Sequence, residues 1–302
     1  MRRNAEAASV KADKKAGNEK MITQELQEFN INNYMDVVDP DRAEDISRYY
    51  FRGVACLDDL DESLKAALIW ELKAVERDEE TSSEIMWLYD TDSEYLEYAL
   101  EEYSKRVLEE DVCRSFFELA GTGDSEEKLL SLSGFELLPV EGRDLRIPLS
   151  ALREVHALRK KAPNYIRSLG SIDNDMFDQG MIKIMFNRNA GSLEDMYYLP
   201  KDWFDEKVSC CVMTDGMING FLLVHRYPSG LMMPVFFSSS GSDSRYNLLE
   251  MMRFSAHSAL AAYPGDTTVL IRRRNESVRK LTEKLFPGKT GDMVMSGERR
   301  ER

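Results

Sequence analysis

The chain repeats one rhythm of punctuation at a fixed spacing, and that repeat limits its architecture more than any other feature. Asp92-Ser93 opens one helix-like segment and Asp243-Ser244 opens another, 151 residues further on (243 − 92). Asp124 and Asn275 each follow a strand-like run and start a short helix at the same offset. Phe135 and Phe286 close those helices, again at that offset. An ungapped correspondence of this kind means one structural unit used twice. The length agrees: 302 residues exceed a single-core size, so two domains of about 100–150 residues are expected.

Composition narrows the class. A chain with 43% hydrophobic and 31% charged residues can bury cores and is neither disordered nor fibrous. Its net charge of −14 argues against a nucleic-acid partner, which would need a basic face to displace counterions. Cys56, Cys113, Cys210 and Cys211 have no metal-ligand or disulfide spacing, so no metal is expected and the thiols read as reduced and structural. Residues 1–20 are charged and small, without an apolar signal-peptide core, and are expected to be a disordered tail. No apolar run approaches the ~20 residues of a membrane helix. The expectation is a cytoplasmic protein with no membrane partner, and nothing points to an oligomeric state.

Hydrophobic periodicity places the elements. In the second half, 150–162 reads as a linker helix ending before Pro163, and Tyr165 to Ile172 as a strand. Asp173 caps a helix reaching about Arg188, and a second helix starts near Ser192. Strands at 208–213, 217–225 and 231–237 are joined by Asp215-Gly216 and Pro228-Ser229-Gly230 turns. A helix at 245–262, a strand at 267–272, a helix at 276–285 and a strand near Met293 to Met295 complete this half. The first half repeats the later part of that order, with strands at 49–56, 66–75 and 84–89, a helix at 94–108, a strand at 112–119, a helix at 126–132, and one or two strands over 135–149. Its front end is short. The domains are therefore set at 21–149 and 164–302, joined by a linker helix over 150–163.

Three antiparallel strands, a capped loop, a helix, a strand and a second helix resemble the core of the GCN5-related N-acetyltransferase (GNAT) family. Cys210 to Phe237 is similar to that family's central meander. Asn275-Glu276-Ser277-Val278 through Leu285-Phe286 is similar to its last-helix signature, and Asp124 to Leu130 with Gly134-Phe135 fits the same signature. The resemblance implies an α/β fold (α+β) of two tandem acyl-CoA N-acyltransferase-like domains. Each would be a mixed, mostly antiparallel sheet flanked by helices, with the N-terminal copy degenerate.

In that family an acyl-CoA pyrophosphate sits on backbone N–H groups at the loop and helix start after the fourth strand, where unpaired donors and the helix dipole favour an anion. The resemblance assigns acetyl-CoA or another acyl-CoA to Val235, Phe236, Phe237, Ser240, Gly241, Ser242, Ser244, Arg245 and Asn275. The family's full glycine pattern is absent here. The matching N-terminal loop, Asp90-Thr91-Asp92-Ser93-Glu94, carries three carboxylates that would repel pyrophosphate. The family's usual catalytic tyrosine falls on Thr282 and, in the first copy, on Ser131, neither a phenol. Candidates for the base are His225 and Glu250. Arg272 and Arg274, on one face by alternation, are candidates for a phosphate or an acidic acceptor. The reading is an acyl-CoA-dependent N-acyltransferase acting on a small-molecule or peptide amine. Its rival is an inactive GNAT-fold protein that binds a ligand or a protein.

Overall fold

The computed structural model describes residues 21–48, 50–73, 81–186, 199–241 and 243–301. The tail expected over 1–20 and the helix expected near Ser192 lie outside them. In chain order the elements are β1 (Met21–Glu25), α1 (Pro40–Ile46), β2 (Phe51–Asp58), β3 (Leu64–Lys73), β4 (Ser82–Asp90), α2 (Ser93–Glu109), β5 (Arg114–Leu119), α3 (Asp124–Leu132) and β6 (Glu136–Pro148). Then come β7 (Ile166–Ser168), α4 (Asn174–Phe186), β8 (Cys210–Thr214), β9 (Met217–Arg226), β10 (Met232–Ser239), α5 (Ser244–Ala262), β11 (Thr268–Arg272), α6 (Glu276–Leu285) and β12 (Asp292–Arg300).

The chain divides into two compact units. The first runs to Val140 and takes in Val294 onward, and the second is Glu141–Met293. In the first, strand order is β1-β2-β3-β4-β5-β12, antiparallel except for the β4/β5 pair. In the second it is β6-β11-β10-β9-β8-β7, antiparallel except for β10/β11. Each is a mixed, mostly antiparallel sheet flanked by helices, as the repeat and the resemblance imply.

Alternation along the strands builds a core on each face. In the first unit, Leu96, Leu100 and Tyr103 of α2 pack on Cys56, Ala66, Leu68 and Ile85 of the sheet. Ile46 of α1 and Leu26 cover Ala55, Ala67 and Ile69 on the opposite face. In the second, Met251, Ala256 and Ala259 of α5 pack on Cys210, Val212, Leu222 and Val224. Phe177 of α4 meets Phe221 of β9 on the other face, ring centroids 5.4 Å apart. Cys210 and Cys211, at opposite faces, are both buried free thiols. Burial holds the Cys210 thiol well above its ordinary range and pushes Cys211 up to about 11.

Two local readings are corrected. The stretch expected as a helix over 150–163 is two 3-10 turns, Leu149–Arg153 and His156–Leu158. Its carbonyls are spent outward: Arg253 Nε donates to the Ala157 carbonyl (2.8 Å), and a His257 ring nitrogen lies 2.9 Å from that of Leu158. The strand expected over 165–172 shortens to β7 followed by a 3-10 turn at Leu169–Ser171. Helix α3 starts at Asp124, as expected, and its cap is Gly123, whose N–H donates to the Glu126 side chain at 2.5 Å.

The final strand is also longer than its apolar residues indicate. Met295–Arg300 pairs antiparallel with Leu119–Arg114 and finishes the first unit. Gly297 is required there, since a Cβ would sit 2.4 Å from the Phe117 ring. Arg299 locks the strand. It donates to the Ser133 carbonyl (2.7 Å), to Ser104 Oγ (2.9 Å) and to Glu301 (2.7 Å), and it lies over the Phe135 ring.

Candidate functional site

The second unit's site starts where two parallel strands separate. β10 and β11 are paired only at Met232↔Val269. Beyond that point β10 runs on to Ser239 with β9 alone beside it. The β9 register skips Val235 between Pro234 and Phe236, a one-residue bulge that re-aims the strand at the opening. Because the two strands are parallel, Ser239 and Arg272 leave the sheet at the same end. The β10–α5 loop and the start of α6 therefore share that end.

The loop is held from below. Ser240 donates its backbone N–H (2.8 Å) and its hydroxyl (3.1 Å) to the Asn219 carbonyl. Asn219 is the bulge residue of β9, and its side-chain oxygen accepts from Lys183 Nζ at 2.6 Å. Gly241 then turns at φ +92°, with open space where a side chain would project. The Asp243 side chain makes no capping hydrogen bond, and the first turn of α5 has no acidic residue. Arg245 is exposed beside it. The Ser244 N–H is taken by the Gly241 carbonyl at 3.3 Å, and the Arg245 and Tyr246 N–H groups, which the Asp243 side chain does not take, are left for another acceptor. The Ser239 hydroxyl is buried and lacks a hydrogen-bond partner among the described residues.

The first unit has the same frame. β4 and β5 are paired only from Ser82↔Arg114 to Ile85↔Phe117, and β4 bulges at Met86. Thr91 gives both its N–H (2.8 Å) and its hydroxyl (3.2 Å) to the carbonyl of Lys65, the bulge residue of β3. There the helix start is closed: Asp92 Oδ1 accepts from the Glu94 N–H at 3.0 Å. Burial, and after it the charge of Asp92, raises the carboxyl of Asp90 above its ordinary value.

No protein-family model matches the chain, and no curated protein matches it in sequence. Solved structures match by fold. A tandem GNAT protein from the clavulanic acid biosynthesis pathway superposes with TM-score 0.60 at 9% identity, over 94% of this chain and 99% of its own. Both units carry the GNAT fold. An Enterococcus faecalis protein described as a probable N-acyltransferase gives TM-score 0.53 at 11% identity, covering 91% of this chain and 72% of its own. Saccharomyces cerevisiae N-myristoyltransferase, solved with bound myristoyl-CoA, gives 0.55 at 11% identity, covering 98% and 84%.

Val235, Phe236, Phe237, Ser240, Gly241, Ser244 and Arg245 follow one another along β10, the loop and the first turn of α5, with Phe236 buried and Phe237 on the opposite face of the strand. Ser242 lies outside the described residues. Asn275 stands at the same end, where its side-chain oxygen caps α6 through the Val278 N–H (2.9 Å). Arg272 and Arg274 are half-buried and flank buried Arg273. Arg273 is turned toward the carbonyls of Lys289 (3.4 Å) and Gly142 (3.5 Å).

Of the two candidate bases, His225 lies on β9 and Glu250 on α5, five residues after Arg245. His225 is buried, stacked on Trp203 at 3.7 Å with its Nδ1 2.7 Å from the Trp203 carbonyl. It pairs in register with Met233, at the closed end of the opening. Glu250 is buried on α5, ion-paired with Arg253 and close enough to Tyr246 to raise that phenol above its ordinary value. Thr282 is 2% exposed and spends its hydroxyl on the carbonyls of Val278 and Arg279. Tyr263 donates to Asp205, and burial raises its phenol to about 12. Among the described residues no cluster of His, Cys, Asp and Glu could hold a metal, and no helix is long and apolar enough to cross a membrane.

The strand bulges, the Asn219 anchor and Lys183 escaped the sequence reading. Gly220, next to Asn219, was the one visible sign. A Cβ there would come within 2.7 Å of the Ser238 carbonyl oxygen, so the strands close tightly just below the loop.

Proposed function

We propose that the C-terminal unit binds an acyl-CoA, with acetyl-CoA the first candidate, and transfers its acyl group to the amine of a small molecule or peptide. The observation that carries this reading is the uncapped start of α5 at the mouth of the β10/β11 opening. The Arg245 and Tyr246 backbone donors, the helix dipole and the exposed Arg245 side chain offer a place for pyrophosphate there. In the transfer, the amine attacks the thioester carbonyl, a C–N bond forms, and the C–S bond breaks. The amine loses a proton and the leaving thiolate gains one. The N-terminal unit, its helix start closed by Asp92, is proposed to bind no acyl-CoA.

The test is calorimetric titration of the full chain with acetyl-CoA and with CoA. One saturable site, weakened at least tenfold in Gly241→Val, supports the reading. Full-strength binding in that variant overturns the loop assignment.

One observation favours a second reading, an inactive GNAT-fold protein that binds a ligand or partner. The helix position where the family usually carries a phenolic acid is a hydroxyl satisfied by its own helix, at Thr282. Binding of CoA without turnover on any amine in a screen would select it.

A further inference from the structure

The N-terminal unit keeps the same opening with another lining. β4 runs to Asp90, but its pairing with β5 stops at Ile85↔Phe117. From Met86 to Asp90, no strand lies on that side of β4 among the described residues. Such an edge carries backbone donors and acceptors in strand register and is a template for another extended chain. Trp87 and Tyr89 project from one face of this segment, half-buried. Their rings are nearly parallel, with an interplanar angle of 7° and centroids 6.0 Å apart. They give the edge a flat aromatic wall, which favours a cation lying over it.

The charge around the edge decides the occupant. Asp90 and Asp92 stand at its end, and among the described residues no cation pairs with Asp90. Lys65, beside Asp90 in the sheet, is turned to Asp58 at 3.7 Å. Across the mouth stands Glu126, close enough that the charge of Asp90 contributes to raising its carboxyl, after the larger effect of burial. An anion is repelled here and a cation is drawn in.

We infer that the β4 edge of the N-terminal unit docks an extended basic peptide segment, added as a strand alongside Met86–Asp90. Lysine or arginine side chains on one face of the added strand would lie over Trp87 and Tyr89, and those on the other face would reach Asp90 and, beyond it, Asp92. The unpaired backbone groups favour a peptide over a simple organic polycation, which would have nothing to offer them. The inference does not depend on acyl-CoA binding in the other unit.

The probe is a lysine-rich hexapeptide, acetylated and amidated, titrated into the full chain and followed by calorimetry and tryptophan fluorescence. Saturable binding with a fluorescence change is expected, and Trp87→Phe should remove that change. Asp90→Asn combined with Asp92→Asn should weaken binding at least tenfold. Asparagine still caps α2, so the fold is preserved. Spermine, which has the charge but no peptide backbone, should bind at least tenfold more weakly. Spermine binding as tightly as the peptide overturns strand addition. Absent peptide binding, or binding indifferent to the Asp90/Asp92 pair, overturns the site altogether.

Discussion

The two units share a frame down to single hydrogen bonds and differ in what they place at its mouth. Each has one parallel strand pair that separates after a short contact, with a bulge in the strand leading to the opening. In each, a hydroxyl residue gives its N–H and its side chain to the carbonyl of a neighbouring bulge residue, Thr91 to Lys65 and Ser240 to Asn219. At the first mouth a carboxylate closes the helix start. At the second, Asp243 leaves it open and Arg245 follows. Backbone geometry is thus the shared part, and the two units differ in the side chains of the loop that follows it, Asp90-Thr91-Asp92 in one and Ser240-Gly241 with Asp243 and Arg245 in the other. A frame suited to an anion says little about its use until those side chains are read.

The largest expected effect breaks the comparison at the ligand. Gly241→Val fills the space above the loop and forces a β-branched residue to φ +92°. Acetyl-CoA affinity should fall at least tenfold by calorimetry. Next comes the strand that only the first unit borrows from the far end of the chain. Arg299→Ala removes three hydrogen bonds and leaves Glu301 without its partner. A loss of about 3 kcal/mol is expected. Hydrogen exchange should show it in β5, α2 and α3 while α5 and β9 stay protected.

A smaller contrast sharpens the comparison at the helix starts. Asp92→Ala removes a cap and should cost about 1 kcal/mol in a denaturant melt. Asp243→Ala, with no capping bond to lose, should shift the melt by much less. The smallest effect is alkaline. Burial raises Tyr103 in the first unit and Tyr263 in the second from 10.0 to about 12. An unfolded tyrosine ionises first, so their stabilisation is complete below pH 10 and is lost as pH rises towards about 12. Ultraviolet titration should show Tyr103 and Tyr263 ionising late, near 12. Tyr103→Phe and Tyr263→Phe should each remove one such phenol.

Much of this frame was legible in the sequence because caps and hydrophobic alternation are local signals. Glu276–Leu285 has the boundaries its Asn275 cap and Phe286 indicate, and the three meander strands fall within a few residues of their turns. The destination of β12 was not legible. Nothing local in Val294 to Arg300 says that its ladder runs beside Arg114–Leu119, because that pairing depends on contacts far apart in the chain. The 150–163 stretch failed for a related reason: its periodicity is helical, but α5 side chains claim its carbonyls. At the site, the loop residues could be read from capping chemistry. The bulges and the Asn219 anchor could not, because register is a property of two strands together.

The most direct test is an acetyl-CoA titration of the parent chain beside Gly241→Val and Asp92→Asn. One site per chain, kept in Asp92→Asn and weakened at least tenfold in Gly241→Val, is the predicted result. No binding at millimolar acetyl-CoA, or binding lost through Asp92 and not through Gly241, would contradict the assignment of the anion site to the C-terminal unit.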